Sequence, residues 1–169
     1  LQNINDCIVI GVPDSGIYYG KAYSKYLNLN YFQYIEKNKN INRTFILPSE
    51  KERTSACLKK FSFDRLNLNN KKVIIVDDSI VRGNVMTAIV KKLNDCNVKE
   101  IHVRIPSPPV IDRCRLGIDI PCKNELIAFN RTIDEIKDKL SINSLDYLTF
   151  DEISNILPKN SNKECFGEL

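Results

Sequence analysis

The feature that most constrains the fold is an apolar run followed at once by two acidic residues, within the segment Val73–Gly83. Its first four residues are β-branched, which is typical of a strand covered on both faces, the parallel type found in α/β sheets. Ligands of such sheets bind at the carboxyl ends of the strands, where Asp77 and Asp78 are placed. The sequence therefore predicts an α/β fold with a polar site at this strand end.

Asp77 and Asp78 suit a ligand with vicinal hydroxyls, because carboxylates accept hydrogen bonds from hydroxyl groups. Successive side chains of an extended segment point to opposite sides, so the pair can hold two hydroxyls, or one hydroxyl and a metal ion. Gly83 allows backbone amides to approach an anion, and a helix predicted from Asn84 to about Leu93 adds its positive end. The expected ligand is a ribose with a 5′-phosphate. A phospho-acceptor aspartate or a phosphatase nucleophile also follows an apolar strand, but it would leave the Arg-Gly start of the helix without a role.

The whole Val73–Gly83 string resembles the phosphoribosyl pyrophosphate (PRPP) signature of type I phosphoribosyltransferases, and its Ser-Ile-Val-Arg-Gly form is similar to the amidophosphoribosyltransferase branch. Further likenesses follow in family order. Gly11–Gly16 resembles the pyrophosphate loop, although a plain Pro-Asp-x-Gly turn has the same composition. Arg43–Ile46 resembles the mobile lid over PRPP, with Lys37 at its leading edge. The resemblance implies the type I phosphoribosyltransferase fold, a mostly parallel twisted sheet flanked by helices.

The resemblance also implies roles for individual residues. Asp77 and Asp78 would hold the ribose hydroxyls and a Mg²⁺ ion, which suits this task because it binds through few carboxylates plus substrate phosphates. Arg43 and Lys37 would act catalytically in the lid by neutralising the departing pyrophosphate, although a solvated loop also explains Lys37 and Lys39. The implied PRPP-binding residues are Asp14, Ser15, Asp77, Asp78, Ser79, Ile80, Val81, Arg82, Gly83 and Asn84.

The reaction implied by the resemblance is displacement of pyrophosphate from PRPP by ammonia, which gives 5-phosphoribosylamine in the first step of de novo purine biosynthesis. Two alternatives stay open: a regulatory module that binds PRPP or a purine nucleotide without turnover, and a phosphoribosyltransferase that places a base on ribose. The family usually has a hydroxyl residue where this chain has Val85, and the lid departs from the family pattern at Lys39, Asn40 and Asn42. These departures favour the regulatory module.

The cysteines and the histidine are interpreted separately. The six cysteines lack a CxxC pair, so we expect reduced thiols rather than a disulfide framework. Cys114 and Cys165 resemble ligands of a [4Fe–4S] cluster in some amidophosphoribosyltransferases. A cluster normally takes four thiolates, but Asn162 replaces one companion and the last ligand would lie upstream of Leu1. We therefore expect vestigial ligands without an intact cluster in this chain, and a [4Fe–4S] cluster stays open for the parent protein. His102 alternates with apolar residues in a predicted strand, so we expect a structural role.

Length and composition agree with one domain, predicted over residues 1–157 and followed by a polar tail over residues 158–169. The net charge of +4 is modest and forms no basic stripe, so we expect no nucleic-acid partner. No apolar run approaches the roughly 18 residues of a membrane span, and the first residues lack signal-peptide character, so we expect a cytoplasmic chain without membrane contact. The resemblance implies a homo-oligomer inhibited by purine nucleotides, with ammonia from a glutaminase domain that lies in cis in the full-length protein and is absent from this chain.

Periodicity and capping patterns predict alternating strands and helices. The predicted strands are Cys7–Gly11, Tyr31–Glu36, Val73–Val76, Glu100–Ile105 and Tyr147–Thr149. The predicted helices are Ile17–Leu27, Glu50–Lys60, Val85–Leu93, one that follows Thr132 and ends near Leu140, and one from about Glu152.

Overall fold

A computed structural model of the chain describes residues 4–38, 59–113 and 122–156. Its strands, in chain order, are β1 (Cys7–Gly11), β2 (Asn30–Tyr31), β3 (Ile35–Lys37), β4 (Phe61–Phe63), β5 (Lys72–Val76), β6 (Glu100–Ile105) and β7 (Ser144–Tyr147). Five of them form one sheet in the order β2-β1-β5-β6-β7, in which every neighbouring pair is parallel. A second sheet pairs β3 with β4 in antiparallel fashion. The mostly parallel sheet agrees with the prediction.

Helices connect the strands of the main sheet. The α-helices of the described residues are α1 (Gly16–Tyr26), α2 (Arg65–Leu68), α3 (Asn84–Asp95), α4 (Ile133–Leu140) and α5 (Phe150–Ile156), with short 3₁₀ helices at Ile4–Asp6 and Lys123–Glu125. Within these described ranges, no helix is both long enough and apolar enough to cross a bilayer.

The main sheet is covered on both faces. On one face, Val9 and Ile74 pack with Tyr23 of α1. On the other face, Ile10 and Ile75 join the larger apolar cluster, to which α3 and α4 contribute side chains. Every residue of β1 is buried, as expected for a parallel strand between two layers. This packing holds the ends of β1 and β5 side by side, which fixes the two loops that follow them.

Several elements confirm the predicted bounds. β1 and β6 begin and end where the sequence indicated, while β5 and α3 extend slightly beyond their predicted limits. The capping box before α4 is also present: the Glu135 amide donates to Thr132 Oγ1 at 3.2 Å, and the Thr132 amide donates to Glu135 Oε2 at 2.7 Å. Strongly patterned segments therefore form the elements that their local sequence predicts.

Two predicted strands are wrong in their bounds. Tyr31–Glu36 is not one strand, because its beginning pairs with β1 in the main sheet whereas Ile35–Lys37 pairs with β4 in the small sheet. The predicted strand Tyr147–Thr149 lies earlier, at Ser144–Tyr147, where it pairs with β6. Thr149 instead caps α5, since the Glu152 amide donates to its hydroxyl oxygen at 3.2 Å.

Two described elements were not predicted, and two predicted segments lie partly or wholly outside the described residues. β4 and α2 were not predicted, because each is too short to show a period. The predicted helix Glu50–Lys60 lies outside the described residues except for its last two positions, which are helical. The predicted tail, residues 158–169, lies wholly outside them.

Candidate functional site

A cavity of about 310 Å³ opens at the carboxyl ends of β1 and β5. Parallel strands bring their following loops to the same edge of a sheet, so residues far apart in sequence meet there. The small β3–β4 sheet contributes to the wall through Lys37 and Phe61. The lining residues are Val12, Pro13, Asp14, Ser15, Lys37, Lys60, Phe61, Asp77, Asp78, Ser79, Ile80, Val81, Arg82, Gly83, Asn84, Val85 and Met86.

The two aspartates after β5 differ in their environments. Burial, reinforced by the negative charge of Asp78, raises the pKa of Asp77 to about 7, and the charge of Lys60 opposes this rise in part. Asp77 Oδ1 accepts a hydrogen bond from the Asp78 amide at 3.0 Å, and Asp78 Oδ1 accepts one from the Ser79 hydroxyl at 3.1 Å. The Ser107 hydroxyl donates to the Asp78 carbonyl at 3.0 Å and so secures the loop from β6. The pair forms an acidic floor suited to hydroxyls or a cation.

The loop then turns into α3 at Gly83. Its φ of 82° lies in the left-handed region, which side-chain-bearing residues rarely adopt. Gly83 is the N-cap and makes no side-chain capping bond, so α3 presents its first amides at the cavity. The free amides of a helix N-terminus, together with the helix dipole, form a site for an anion.

The loop after β1 lies against the same strand end. The Val12 amide donates to the Val76 carbonyl at 2.8 Å. A Cβ at Gly16 would lie 2.4 Å from that same oxygen, so no side chain fits there. Asp14 and Ser15 are exposed at the cavity mouth, the Pro13–Asp14 peptide bond is cis, and Lys37 forms an ion pair with Asp14. The two loops are thereby held together at one carbonyl group.

The chain matches the family model described as "Phosphoribosyl transferase domain" over residues 1–106, which is more than half of its length. This chain belongs to the phosphoribosyl transferase domain family. The predicted family and the predicted fold are thus confirmed, and the family is one of glycosyl-transferring enzymes.

Named relatives of this phosphoribosyltransferase domain are amidophosphoribosyltransferases. Amidophosphoribosyltransferase 2, chloroplastic, of Arabidopsis thaliana is 40% identical over 163 residues, which are 96% of this chain and 29% of the relative. The amidophosphoribosyltransferase of Pyrococcus horikoshii is 43% identical over 141 residues, or 83% of this chain and 31% of the relative. The solved glutamine PRPP amidotransferase from B. subtilis, complexed with ADP and GMP, is 35% identical with a TM-score of 0.77 and matches 94% of this chain and 35% of its own. The chain spans about a third of the length of these proteins.

The phosphoribosyltransferase domain brings most of the predicted site residues into the cavity at the ends of β1 and β5. Lys37, both loop residues Asp14 and Ser15, and the whole run Asp77–Asn84 line it. Their roles in binding stay predictions. Arg43, Cys114 and Cys165 lie outside the described residues.

Lys60 is a cavity residue that sequence reasoning missed. It precedes β4 and lies near enough to Asp77 for its charge to lower the pKa of that carboxyl. Its ammonium group also lies 5.4 Å from the centre of the Phe61 ring. The sequence offered one signal for Lys60, which is that it lies at the end of the predicted helix, next to an aromatic residue. Lys59 lies almost equally close to both features, so the sequence does not distinguish the two lysines. Only the β3–β4 pairing shows which lysine borders the cavity.

His102 has the structural role expected of it, and Val85 occupies the position where the family usually has a hydroxyl residue. Val85 lines the cavity and packs against the apolar core, whereas Thr87 is exposed outside the lining and cannot supply the missing hydroxyl. His102 is buried, with Nδ1 at 2.9 Å from Ser144 Oγ and Nε2 at 3.3 Å from Glu100 Oε2. Burial lowers the pKa of His102. Its contacts lie at the opposite edge of the sheet and assign it to the scaffold.

Proposed function

We propose that this domain binds PRPP and transfers its phosphoribosyl group to ammonia, with release of pyrophosphate and formation of 5-phosphoribosylamine, the first step of purine biosynthesis. One observation carries the proposal. The same cavity is lined by the acidic pair Asp77 and Asp78, by the N-terminus of α3, and by the loop after β1 with two lysines nearby. A ribose that carries phosphate groups at both ends needs these three chemistries in this order. The amidophosphoribosyltransferase names of the relatives support the choice of acceptor.

Each part of the ligand has a matching part of the cavity. The 5′-phosphate would bind at the N-terminus of α3, where Gly83 and Asn84 bring backbone amides to the cavity. The ribose hydroxyls would donate hydrogen bonds to Asp77 and Asp78. The diphosphate would lie against the Asp14–Ser15 loop, between Lys37 and Lys60.

The donor chemistry at the acidic pair fits Mg²⁺. Asp77 and Asp78 would hold the ion, while no cluster of three or more His, Cys, Asp or Glu residues is found in the described ranges. A pair of carboxylates suits an ion that binds proteins through one or two carboxylates and takes its other ligands from phosphates and water. When bound, Mg²⁺ supplies positive charge to the diphosphate.

The chain's own residues contribute position and charge to the substitution at ribose C1. The bond from C1 to the diphosphate oxygen breaks, the ammonia nitrogen forms a bond to C1, and the nitrogen loses a proton to solvent. Asp77 and Asp78 hold the ribose so that C1 faces the acceptor. Lys37 and Lys60 place positive charge where the leaving pyrophosphate gains negative charge, which stabilises the transition state. Arg43 would add to this charge from the lid.

Pyrophosphate release tests the proposal. The wild-type chain is incubated with PRPP, Mg²⁺ and ammonium salt at pH 8.5, with circular dichroism to verify folding, and pyrophosphate is measured with a coupled assay. The expected result is release that rises with ammonia concentration and is lost in the Asp77→Asn/Asp78→Asn variant. Release that is independent of ammonia, or that survives in the variant, contradicts the proposed transfer.

A regulatory module that binds PRPP without turnover is the second candidate, and Val85 is the observation that favours it. Its apolar side chain lines the cavity beside the helix N-terminus, where a hydroxyl would donate to the phosphate. A missing hydrogen bond to a charged group costs about 1.5–3 kcal/mol. Binding of PRPP without ammonia-dependent release, unchanged by Val85→Thr, would establish this alternative.

Partners of the full-length protein belong to the same proposal. We extend it to a glutaminase domain in cis as the source of ammonia, to a homo-oligomer and to inhibition by purine nucleotides. The B. subtilis relative was solved with ADP and GMP, which supports the nucleotide part. A cytoplasmic location stays a prediction, and the Arabidopsis relative is chloroplastic by name.

A further inference from the structure

The loop between β5 and α3 is held from outside by the segment Glu125–Ala128. Arg82 Nε donates to Glu125 Oε2 at 2.6 Å. The Ile127 amide donates to the Val81 carbonyl at 2.9 Å. The Ile127 side chain packs so close to Gly83 that a Cβ there would lie 2.5 Å from its Cδ1 atom. Three consecutive residues of the loop are therefore contacted by one distant segment.

This segment is a firm support. Leu126, Ile127 and Ala128 are all buried in the core, with exposed fractions of 0%, 1% and 4%. The backbone that carries Glu125 is therefore fixed on its carboxyl side by apolar packing. A support of this kind can define the loop's conformation before any ligand arrives.

The ion pair itself is shielded from water. The side chains of Arg82 and Glu125 are 11% and 29% exposed. Lower exposure makes a charge-assisted hydrogen bond stronger than a surface ion pair, which contributes little. For comparison, Lys123 of the same 3₁₀ helix pairs with Asp112 at 2.6 Å, but those side chains are 41% and 44% exposed. The two ion pairs share a helix and differ in burial and in contact with the loop.

A guanidinium has five N–H donors in a fixed plane. The hydrogen bond from Arg82 Nε to Glu125 therefore orients the whole group, including its other donors. Because Arg82 lies between Val81 and Gly83, a contact that anchors its side chain limits the movement of the loop backbone at this position. Loss of the carboxylate would remove one of the contacts that orient that plane, while the apolar contacts of Ile127 persist. The expected consequence is a looser loop in an intact fold.

We propose that Glu125 is a positioning residue, which holds Arg82 and thereby presets the loop Ser79–Asn84 for the phosphate at the ribose 5′ end. This rests on the proposed function only in naming the phosphate as the loop's ligand. Glu125 itself touches neither ribose nor phosphate in this assignment. Its effect should therefore be confined to one end of the ligand.

The test compares Glu125→Gln with the wild-type chain by two measurements. In titration calorimetry, ribose 5-phosphate should bind at least about tenfold more weakly to the variant, while Mg²⁺-pyrophosphate affinity stays within about twofold. In amide hydrogen exchange of the ligand-free chains, peptides that contain residues 79–84 should exchange faster in the variant, with β5 unchanged. Unchanged exchange of that loop overturns the inference.

Matched variants separate positioning from general damage. Asp112→Asn also neutralises one carboxylate of an ion pair with the same 3₁₀ helix, and it should leave both measurements unchanged. In an Arg82→Gln background, Glu125→Gln should cause no further loss of ribose 5-phosphate affinity, because the partner through which it acts is gone. A further full loss in that background overturns the inference. A wild-type chain that binds no ribose 5-phosphate overturns the proposed function, and the exchange measurement then still decides the role of Glu125.

Discussion

Carboxylates have opposite roles at the two ends of the strands of the main sheet, which we call the amino edge and the carboxyl edge. At the amino edge, Glu100 Oε1 lies 3.0 Å from Lys72 Nζ and its other oxygen lies 3.3 Å from His102 Nε2. The hydrogen bond from Lys72 holds the pKa of Glu100 below its ordinary value. At the carboxyl edge, burial and the adjacent Asp78 raise the pKa of Asp77 to about 7. One edge pairs its carboxylate with cations of the fold, and the other places two carboxyl groups side by side at the cavity.

The difference shows where the fold sacrifices its own stability. A carboxylate that is hydrogen-bonded to a cation favours the folded chain, whereas one that is buried beside another carboxylate opposes it. Such an arrangement persists at ligand sites, where a bound cation or hydroxyl compensates the charge. The amino edge is therefore scaffold, and the carboxyl edge has the arrangement of carboxyl groups that is typical of a ligand site.

The largest expected effect comes from removing both charges at the cavity. Asp77→Asn/Asp78→Asn should weaken binding of Mg²⁺-PRPP by at least about 100-fold, because the hydroxyl acceptors and the cation ligands are lost together. Titration calorimetry measures this loss. Asp134→Asn/Asp138→Asn, which neutralises two carboxylates of α4, is the matched control and should bind as the wild type does. Unchanged affinity of the Asp77→Asn/Asp78→Asn variant would contradict the assignment of the carboxyl edge as the ligand site.

A smaller effect is expected from Lys60, the cation that partly offsets the charge of Asp77. Lys60→Gln should weaken binding of Mg²⁺-pyrophosphate about tenfold, since one charge-assisted contact is removed. Lys59→Gln removes the same charge from the neighbouring position, which does not line the cavity, and should have little effect. Equal losses in the two variants would show that only overall charge matters.

The pH dependence of stability should differ in sign between the edges. Because the pKa of Asp77 is raised to about 7, the folded chain retains a proton that the unfolded chain releases near pH 4. The contribution of Asp77 is therefore fully present below pH 4 and is lost as pH rises through about 7. Asp77→Asn should leave the melting temperature nearly unchanged at pH 4.5 and raise it by several degrees, about 3 °C or more, at pH 8. A constant difference from pH 4.5 to pH 8, in thermal melts followed by circular dichroism, would contradict this assignment.

The smallest effect on binding is expected at the amino edge. Glu100→Gln should leave the affinity for Mg²⁺-PRPP within about twofold, because this side chain is not among the described residues that line the cavity. Its effect should appear in stability instead. The pKa of Glu100 is lowered, so its contribution is present above the ordinary carboxyl pKa and is lost as pH falls through the lowered value. Chemical denaturation should show a lower unfolding free energy for the variant at pH 7, and this deficit should be smaller at pH 3.

The sequence predicted the parts of the site that have a local cause. The apolar run before Asp77 forms β5, and the helix predicted after Gly83 begins at Asn84. The capping box at Thr132 and Glu135 forms as expected. In each case the residues that cause the structure are neighbours in the chain.

Other parts depend on contacts between distant residues and left no local signal. Arg82 and Glu125 are separated by 43 positions, so neither motif indicates the other. Ile35–Lys37 forms a separate strand only because β4 pairs with it. Lys60 cannot be distinguished from Lys59 until that pairing orients it. The raised pKa of Asp77 was not predicted for the same reason, because its burial depends on residues that are distant in the sequence.

The shared carbonyl of Val76 has a consequence for ligand selection. The Val12 amide donates to this oxygen, and Gly16 lies so close that no side chain can separate the two loops. The distance between the loop after β1 and the loop after β5 is thus fixed by the backbone and cannot be adjusted by changing side chains. If the two loops bind opposite ends of one molecule, the spacing between the loops determines what length of ligand can bind to both. A ligand that has the correct charges at a different separation could not contact both loops, whatever side chains the loops carry.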